Sequence, residues 1–133
     1  MSRMLLIEDE VLILRMYEKI FNYEGFEVIT AEDGEAGLAK AKSEKPALIL
    51  LDIMMPKMDG LTVLTKLKED PEVKDIPVVI LTNLSSDEVV KDAFAKGAVG
   101  YLVKSDIVNE KIVDEVKRYV SSIQGIESIN PAA

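Results

Sequence analysis

Five short apolar runs, each cut off by a polar residue and followed by a stretch of helical periodicity, constrain this chain more than any other feature. The runs are Met4–Ile7, Phe26–Ile29, Ala47–Leu51, Ile76–Leu81 and Val99–Val103. Each reads as a strand, and Ala47–Leu51, too short and too continuously apolar for a surface helix, as one buried on both faces. Strand and helix then alternate five times, without internal repeats, which calls for a parallel sheet covered by helices on both sides. With 133 residues, 48% of them apolar, the chain suits one compact domain and is cramped for two.

The helices are legible from period and punctuation. From Val11 to Glu24, Ile13, Tyr17, Ile20 and Phe21 recur at helical spacing opposite Arg15, Glu18, Lys19 and Glu24, and Gly25 stops the run. Asp33 caps a second helix reaching to about Ser43, and Asp59 caps a third carrying Leu61, Leu64 and Leu67. Ser85 with Glu88 makes a capping box for a fourth helix through Lys96. Val108, Ile112, Val116, Tyr119 and Ile123 line a fifth, capped by Ser105 or Asp106. Residues 1–123 are thus expected to form the domain, and 124–133 a C-terminal tail or the start of a linker.

Right-handed crossovers make the first strand central and put the ligand crevice at the carboxyl ends of the first and third strands. Those ends carry Glu8, Asp9 and Asp52; the fourth strand ends in Thr82 and the fifth in Lys104. Asp52 alone could be a turn cap, since Ile53 to Gly60 leaves the sheet through Pro56 and Gly60. Five polar residues from four strands on one rim are harder to assign to capping.

The absence of Cys and His removes thiol chemistry, imidazole catalysis and the common zinc sites, so a metal here must be held by oxygen. Three clustered carboxylates repel one another and are best tolerated around a divalent cation, for which hard oxygen ligands suit magnesium or manganese. Asp52 can then act as a nucleophile toward phosphorus, with the metal, Lys104 and Thr82 dividing the neutralisation of the phosphoryl oxygens. No GxxxxGK[ST] loop is present, so the phosphoryl group should arrive already activated on another molecule rather than from ATP directly.

The balance of 24 acidic against 16 basic residues, net charge −8, opposes direct binding of nucleic acid or anionic membrane. The first apolar run is too short for a signal peptide or a membrane span, and a cytoplasmic protein is expected.

In the order Glu8-Asp9, Asp52 with Met55-Pro56 and Asp59-Gly60, Leu81-Thr82, and Gly97-Ala98 through Tyr101-Leu102-Val103-Lys104, the sequence resembles the receiver domain of two-component response regulators. The likeness runs from about Arg3 to Ile123. It implies a flavodoxin-like (βα)5 three-layer sandwich with strand order 2-1-3-4-5, a doubly wound order of which a receiver protein is itself a standard example. It implies Asp52 as phosphoacceptor from the phosphohistidine of a sensor histidine kinase or phosphotransfer protein. Magnesium would be held by Glu8, Asp9, Asp52 and the Met54 backbone carbonyl, and Thr82 with Tyr101 would form a switch pair. Such a protein turns over no external substrate; it catalyses only its own aspartyl phosphorylation and dephosphorylation. A downstream protein would dock on helix four, strand five and helix five, including Val89, Val90, Lys91, Tyr101 and Lys104, with the chain a monomer or a phosphorylation-dependent dimer.

The chain departs from the usual pattern at Ser105, where Pro commonly follows the Lys, at Asn83, where a small residue is common, and at Val11, where Pro is frequent. Without Pro, the Lys104–Ser105 peptide bond is expected to be trans, because the cis form costs about 2.5–4 kcal/mol. Two alternatives stand beside this reading. A receiver-like binding module would work without phosphate, and a phosphatase of the haloacid-dehalogenase type would need a second Asp where Met54 stands.

Overall fold

Five parallel strands pair in the order β2-β1-β3-β4-β5. They are β1 (Arg3–Ile7), β2 (Glu27–Ala31), β3 (Leu48–Leu51), β4 (Val78–Thr82) and β5 (Gly100–Val103). The crossovers are α1 (Val11–Tyr23), α2 (Gly34–Glu44), α3 (Gly60–Glu69) and α4 (Asp87–Ala95), and α5 (Asn109–Gln124) follows β5. The computed structural model describes residues 3–106 and 109–124. Among them no helix is long and apolar enough to cross a membrane.

Strand alternation divides the core in two. Met4, Leu6, Leu48, Leu50, Val79, Leu81 and Leu102 meet Leu14, Tyr17 and Phe21 of α1 and Ile112, Val113 and Val116 of α5. Leu5, Ile7, Ile49, Leu51, Val78 and Ile80 point the other way, into a cluster with Ala41, Val63, Leu64, Leu67 and Ala93 of α2, α3 and α4. Every residue of β3 and β4 is buried, as expected for central strands of a sheet covered on both sides.

Asp33 and Asp59 cap their helices as the sequence predicts, accepting the backbone N–H of Ala36 at 2.7 Å and of Thr62 at 2.9 Å. Several boundaries shift by one or two residues, β4 starting at Val78 rather than Ile76 among them, and two of the shifts have a visible cause. β2 starts at Glu27 rather than Phe26, because the Phe26 N–H donates to the Phe21 carbonyl at 3.0 Å and its ring packs edge-on against Phe21. Phe26 therefore completes the turn out of α1, through Gly25 at φ 98°. The cap of α4 is Ser86, not Ser85: its hydroxyl accepts from the Val89 N–H at 3.3 Å, which puts Glu88 inside the first turn instead of at the position a capping box needs.

The Lys104–Ser105 bond is trans. Ser105 and Asp106 lie in a 3-10 turn that starts at Lys104 rather than directly ahead of α5, and residues 107 and 108, between turn and helix, lie outside the described residues. Gln124 closes α5, and the remainder of the segment assigned to a tail, 125–133, also lies outside them.

Candidate functional site

The carboxyl ends of β1, β3, β4 and β5 open onto one rim, and the ladder continues just far enough to aim the polar residues there. The Glu8 N–H donates to the Ala31 carbonyl and the Asp52 N–H to the Ile7 carbonyl, both at 3.1 Å. Glu8 thus follows the alternation of Met4 and Leu6, and Asp52 that of Leu48 and Leu50, so both project on the α1/α5 face. Both are buried.

Lys104 reaches them from the end of β5. Its ammonium lies 3.2 Å from Asp52 Oδ2 and donates to Glu8 Oε1, with only 10% of the side chain exposed. The carboxylates have further donors: the Glu10 N–H to Glu8 Oε2 at 3.0 Å and the Met54 N–H to Asp52 Oδ1 at 3.2 Å. Burial pushes the Glu8 carboxyl above its ordinary value, against the pull of the Lys104 hydrogen bond. Burial also opposes the charge on Lys104, but the Glu8 hydrogen bond and the charges of Asp52 and Glu8 outweigh it and raise the ammonium pKa. One protonated lysine thus serves two buried carboxylates.

Half-buried Asp9 completes an acidic trio in which one oxygen from each of Glu8, Asp9 and Asp52 lies within 4.8 Å of the others. Three hard anionic oxygens, one of them on a partly open residue, suit an oxygen-seeking divalent ion such as magnesium. A single ammonium leaves the trio net negative, which is the charge state such an ion neutralises.

Thr82 and Tyr101 lie on the other face. Thr82 is fully buried, and its Oγ1 accepts a long hydrogen bond, 3.5 Å, from the Leu84 N–H. The half-buried Tyr101 donates its hydroxyl to the Leu84 carbonyl at 2.7 Å. Burial, then the charge of Asp52, raises the Tyr101 pKa. Leu84 ties both hydroxyls through its backbone, so its side-chain type carried no signal in the sequence.

Gly60, read in the sequence as part of the turn out of the sheet, has a further role that the sequence left unassigned. A Cβ there would stand 2.1 Å from the Asp52 carbonyl oxygen and 2.7 Å from Ile53 Cα. Only a glycine lets the start of α3 approach the end of β3 this closely, and the Gly60 N–H uses that approach to donate to the Ile53 carbonyl at 2.9 Å. Beside the site, Ile53, Met54, Met55, Pro56, Asp59 and Leu84 line a depression of about 490 Å³. Of the residues expected on a docking face, Lys91 is exposed and Val89, Val90 and Tyr101 are half-buried, whereas Lys104 turns inward to the carboxylates. Phe94 of α4 and Val99, one residue before β5, are 46% and 40% exposed and add apolar surface to those elements.

A family model described as the response regulator receiver domain matches residues 4–117. The response regulator PleD of Caulobacter vibrioides is 42% identical over 103 residues, covering 77% of this chain and 23% of that protein, so the chain spans about a quarter of that relative's length. The solved structure of the Vibrio cholerae chemotaxis protein CheY4 resembles this fold with a TM-score of 0.83 at 31% identity, over 90% of this chain and 98% of that one. A Borrelia burgdorferi structure described as a CheX-CheY-BeF3-Mg+2 complex gives a TM-score of 0.79 at 34% identity, over 92% and 88% of the two chains.

Proposed function

The chain belongs to the response regulator receiver family, and from that premise we propose that Asp52 accepts a phosphoryl group from the phosphohistidine of a sensor histidine kinase or phosphotransfer protein. The observation that carries this reading is the convergence of Asp52, Glu8 and Lys104 at one rim, with the Lys104 ammonium 3.2 Å from an Asp52 oxygen. A carboxylate oxygen of Asp52 attacks phosphorus, the new O–P bond forms as the donor's N–P bond breaks, and the imidazole leaves with the electron pair. Lys104 lets go of Glu8 and pairs with a phosphoryl oxygen, and the Thr82 hydroxyl donates to another. Glu8, Asp9, Asp52 and the Met54 carbonyl would hold magnesium, which would supply the remaining charge neutralisation. The BeF3 and magnesium named for the Borrelia complex fit the same chemistry in a relative of this fold.

Turning the Thr82 hydroxyl toward a phosphoryl group withdraws it from the Leu84 N–H, and Tyr101 holds the same residue from the other side. Leu84 is therefore where occupancy of Asp52 is passed to α4 and β5, and the surface of Lys91, Phe94, Val99 and Tyr101 is where a downstream protein docks. The protein works in the cytoplasm, where its kinase presents the phosphohistidine. The test is incubation with magnesium and a small acyl phosphate, followed by intact mass. Wild type should gain one phosphoryl group and Asp52→Asn none, because an amide is a poor nucleophile and carries no charge for the metal. Undiminished labelling of the Asn variant would move the acceptor elsewhere.

A further inference from the structure

The depression beside the site has walls that begin at the reacting groups. Met54 lines it, and the Met54 N–H donates to Asp52 Oδ1 at 3.2 Å. Leu84 lines it too, and the Leu84 N–H donates to Thr82 Oγ1 at 3.5 Å. A phosphoryl group on Asp52 that also meets the Thr82 hydroxyl therefore stands where these two walls start. In an in-line displacement the leaving group lies on the far side of phosphorus from the attacking oxygen. Any substituent on that leaving group extends away from Asp52, past Met54 and Leu84.

The lining suits an uncharged chain. Buried Ile53 and Met55 and exposed Pro56 complete its apolar part, and the Met54 side chain is 58% exposed although apolar. Asp59 is the one charged residue on it, with Oδ1 already engaged by the Thr62 N–H at 2.9 Å. Its charge repels a chain that ends in a carboxylate and leaves a hydrocarbon undisturbed. At about 490 Å³ the space is of the size that takes small ligands, and larger than one methyl group needs.

We propose that this depression is a subsite for the alkyl chain of an acyl phosphate, so that the protein also takes its phosphoryl group directly from straight-chain acyl phosphates longer than acetyl phosphate. The inference rests on the assignment of Asp52 as acceptor. An Asp52 oxygen bonds to phosphorus as the bond from phosphorus to the acyl oxygen breaks, and the carboxylate leaves with the electron pair. Hydrocarbon packed on Met54 and Leu84 during that step is out of water in the transition state, which raises the second-order rate. The class of reaction that supplies such a donor is acyl transfer from a thioester to phosphate.

The test is labelling with magnesium and acetyl, propionyl or butyryl phosphate, followed by intact mass against time. The second-order rate should rise about two- to fourfold with each added methylene, fourfold being the effect of full burial. Met54→Ser removes an exposed side chain rather than a core one, and should cut the butyryl-to-acetyl rate ratio by about threefold or more. Leu12→Ser takes an 87% exposed side chain from α1, on the opposite face of the sheet, and should keep the wild-type ratio. A flat or falling series overturns the proposal and leaves the depression to an apolar side chain of the protein donor. An unchanged ratio in Met54→Ser, or an equal loss in Leu12→Ser, overturns it as well. A second measurement needs no transfer: 2-oxoalkylphosphonates, with CH2 in place of the oxygen that leaves, bind without reacting. In carbon-13 NMR the Met54 and Met55 methyl groups should shift more with the butyryl-length analogue than with the acetyl-length one, and equal shifts refute the subsite. Wild type that accepted phosphate from none of the three donors would sink the acceptor assignment, and the analogue titration would then decide on the subsite alone.

Discussion

On the face covered by α1 and α5, the rim carries Glu8, Asp52 and Lys104, whose charges are settled by ion pairs above a closed apolar cluster. On the face covered by α2, α3 and α4, it carries Thr82 and Tyr101, whose hydroxyls both reach the backbone of Leu84 in the loop before α4. The first side is built from full charges held under low exposure, where electrostatic terms are large. The second is built from neutral hydrogen bonds to a loop whose Asn83, Ser85 and Ser86 are exposed, where each contact is worth about 0.5–1.5 kcal/mol. Strand alternation alone produces this division, because Leu81 faces the first cluster and its neighbour Thr82 must face the second. It separates the charged groups of the rim from its neutral hydroxyls.

The sharpest way to break the comparison is to remove one member from each side. Lys104→Ala should slow acyl-phosphate labelling by roughly a hundredfold or more, as loss of a group stabilising transition-state charge does, and Thr82→Ala by about tenfold. Equal losses would mean the two faces share the chemistry. Magnesium comes next. An ion that binds only the folded state at a hundred times its dissociation constant stabilises it by about 2.7 kcal/mol, so the thermal midpoint should rise with magnesium. Asp9→Ala should shrink that rise and Tyr101→Phe should leave it alone; a thermal melt at increasing magnesium tells the two apart.

A smaller effect should appear in metal-free buffer as pH is varied. Because burial raises the Glu8 pKa, folding favours its protonated form. The stability it contributes is complete below its ordinary value of 4.5 and is lost as pH rises through the higher folded value. The midpoint of Glu8→Gln relative to wild type should therefore climb from about pH 4.5 toward neutrality. A difference constant with pH would show that Lys104 fully compensates the charge. The smallest expected change is that of Tyr101→Phe: labelling within about twofold of wild type, with faster hydrogen exchange in the loop around Leu84 as its carbonyl loses a donor.

Which residues reach the rim was legible because strand ends are marked by chemistry: an apolar run stopping at Glu8, Asp52, Thr82 or Lys104 says where the sheet ends and what stands there. The strand order and both Asp caps were legible for similar reasons of pattern. Phe26 and Ser85 were misplaced by one position because apolarity and hydroxyls mark an element without fixing its boundary, which here is set by the Phe21 contact and by the path of the loop through Leu84. The roles of Leu84 and Gly60 were hidden for different reasons. Leu84 acts through main-chain atoms. Gly60 acts by the volume it lacks.

That missing volume has a mechanical consequence. With the Asp52 carbonyl lying where a side chain of residue 60 would begin, and the Gly60 N–H tied to Ile53, the end of β3 and α3 have no slack between them. Val63, Leu64 and Leu67 fasten the rest of that helix in the core. Main-chain recoil at Asp52 in that direction would have to drag a ten-residue rod through close-packed side chains. Toward Leu84 it meets a loop with exposed Asn83, Ser85 and Ser86, held by a long hydrogen bond of 3.5 Å to Thr82 and one of 2.7 Å from the Tyr101 hydroxyl. The stiffness of one joint thus sets the direction in which the other gives.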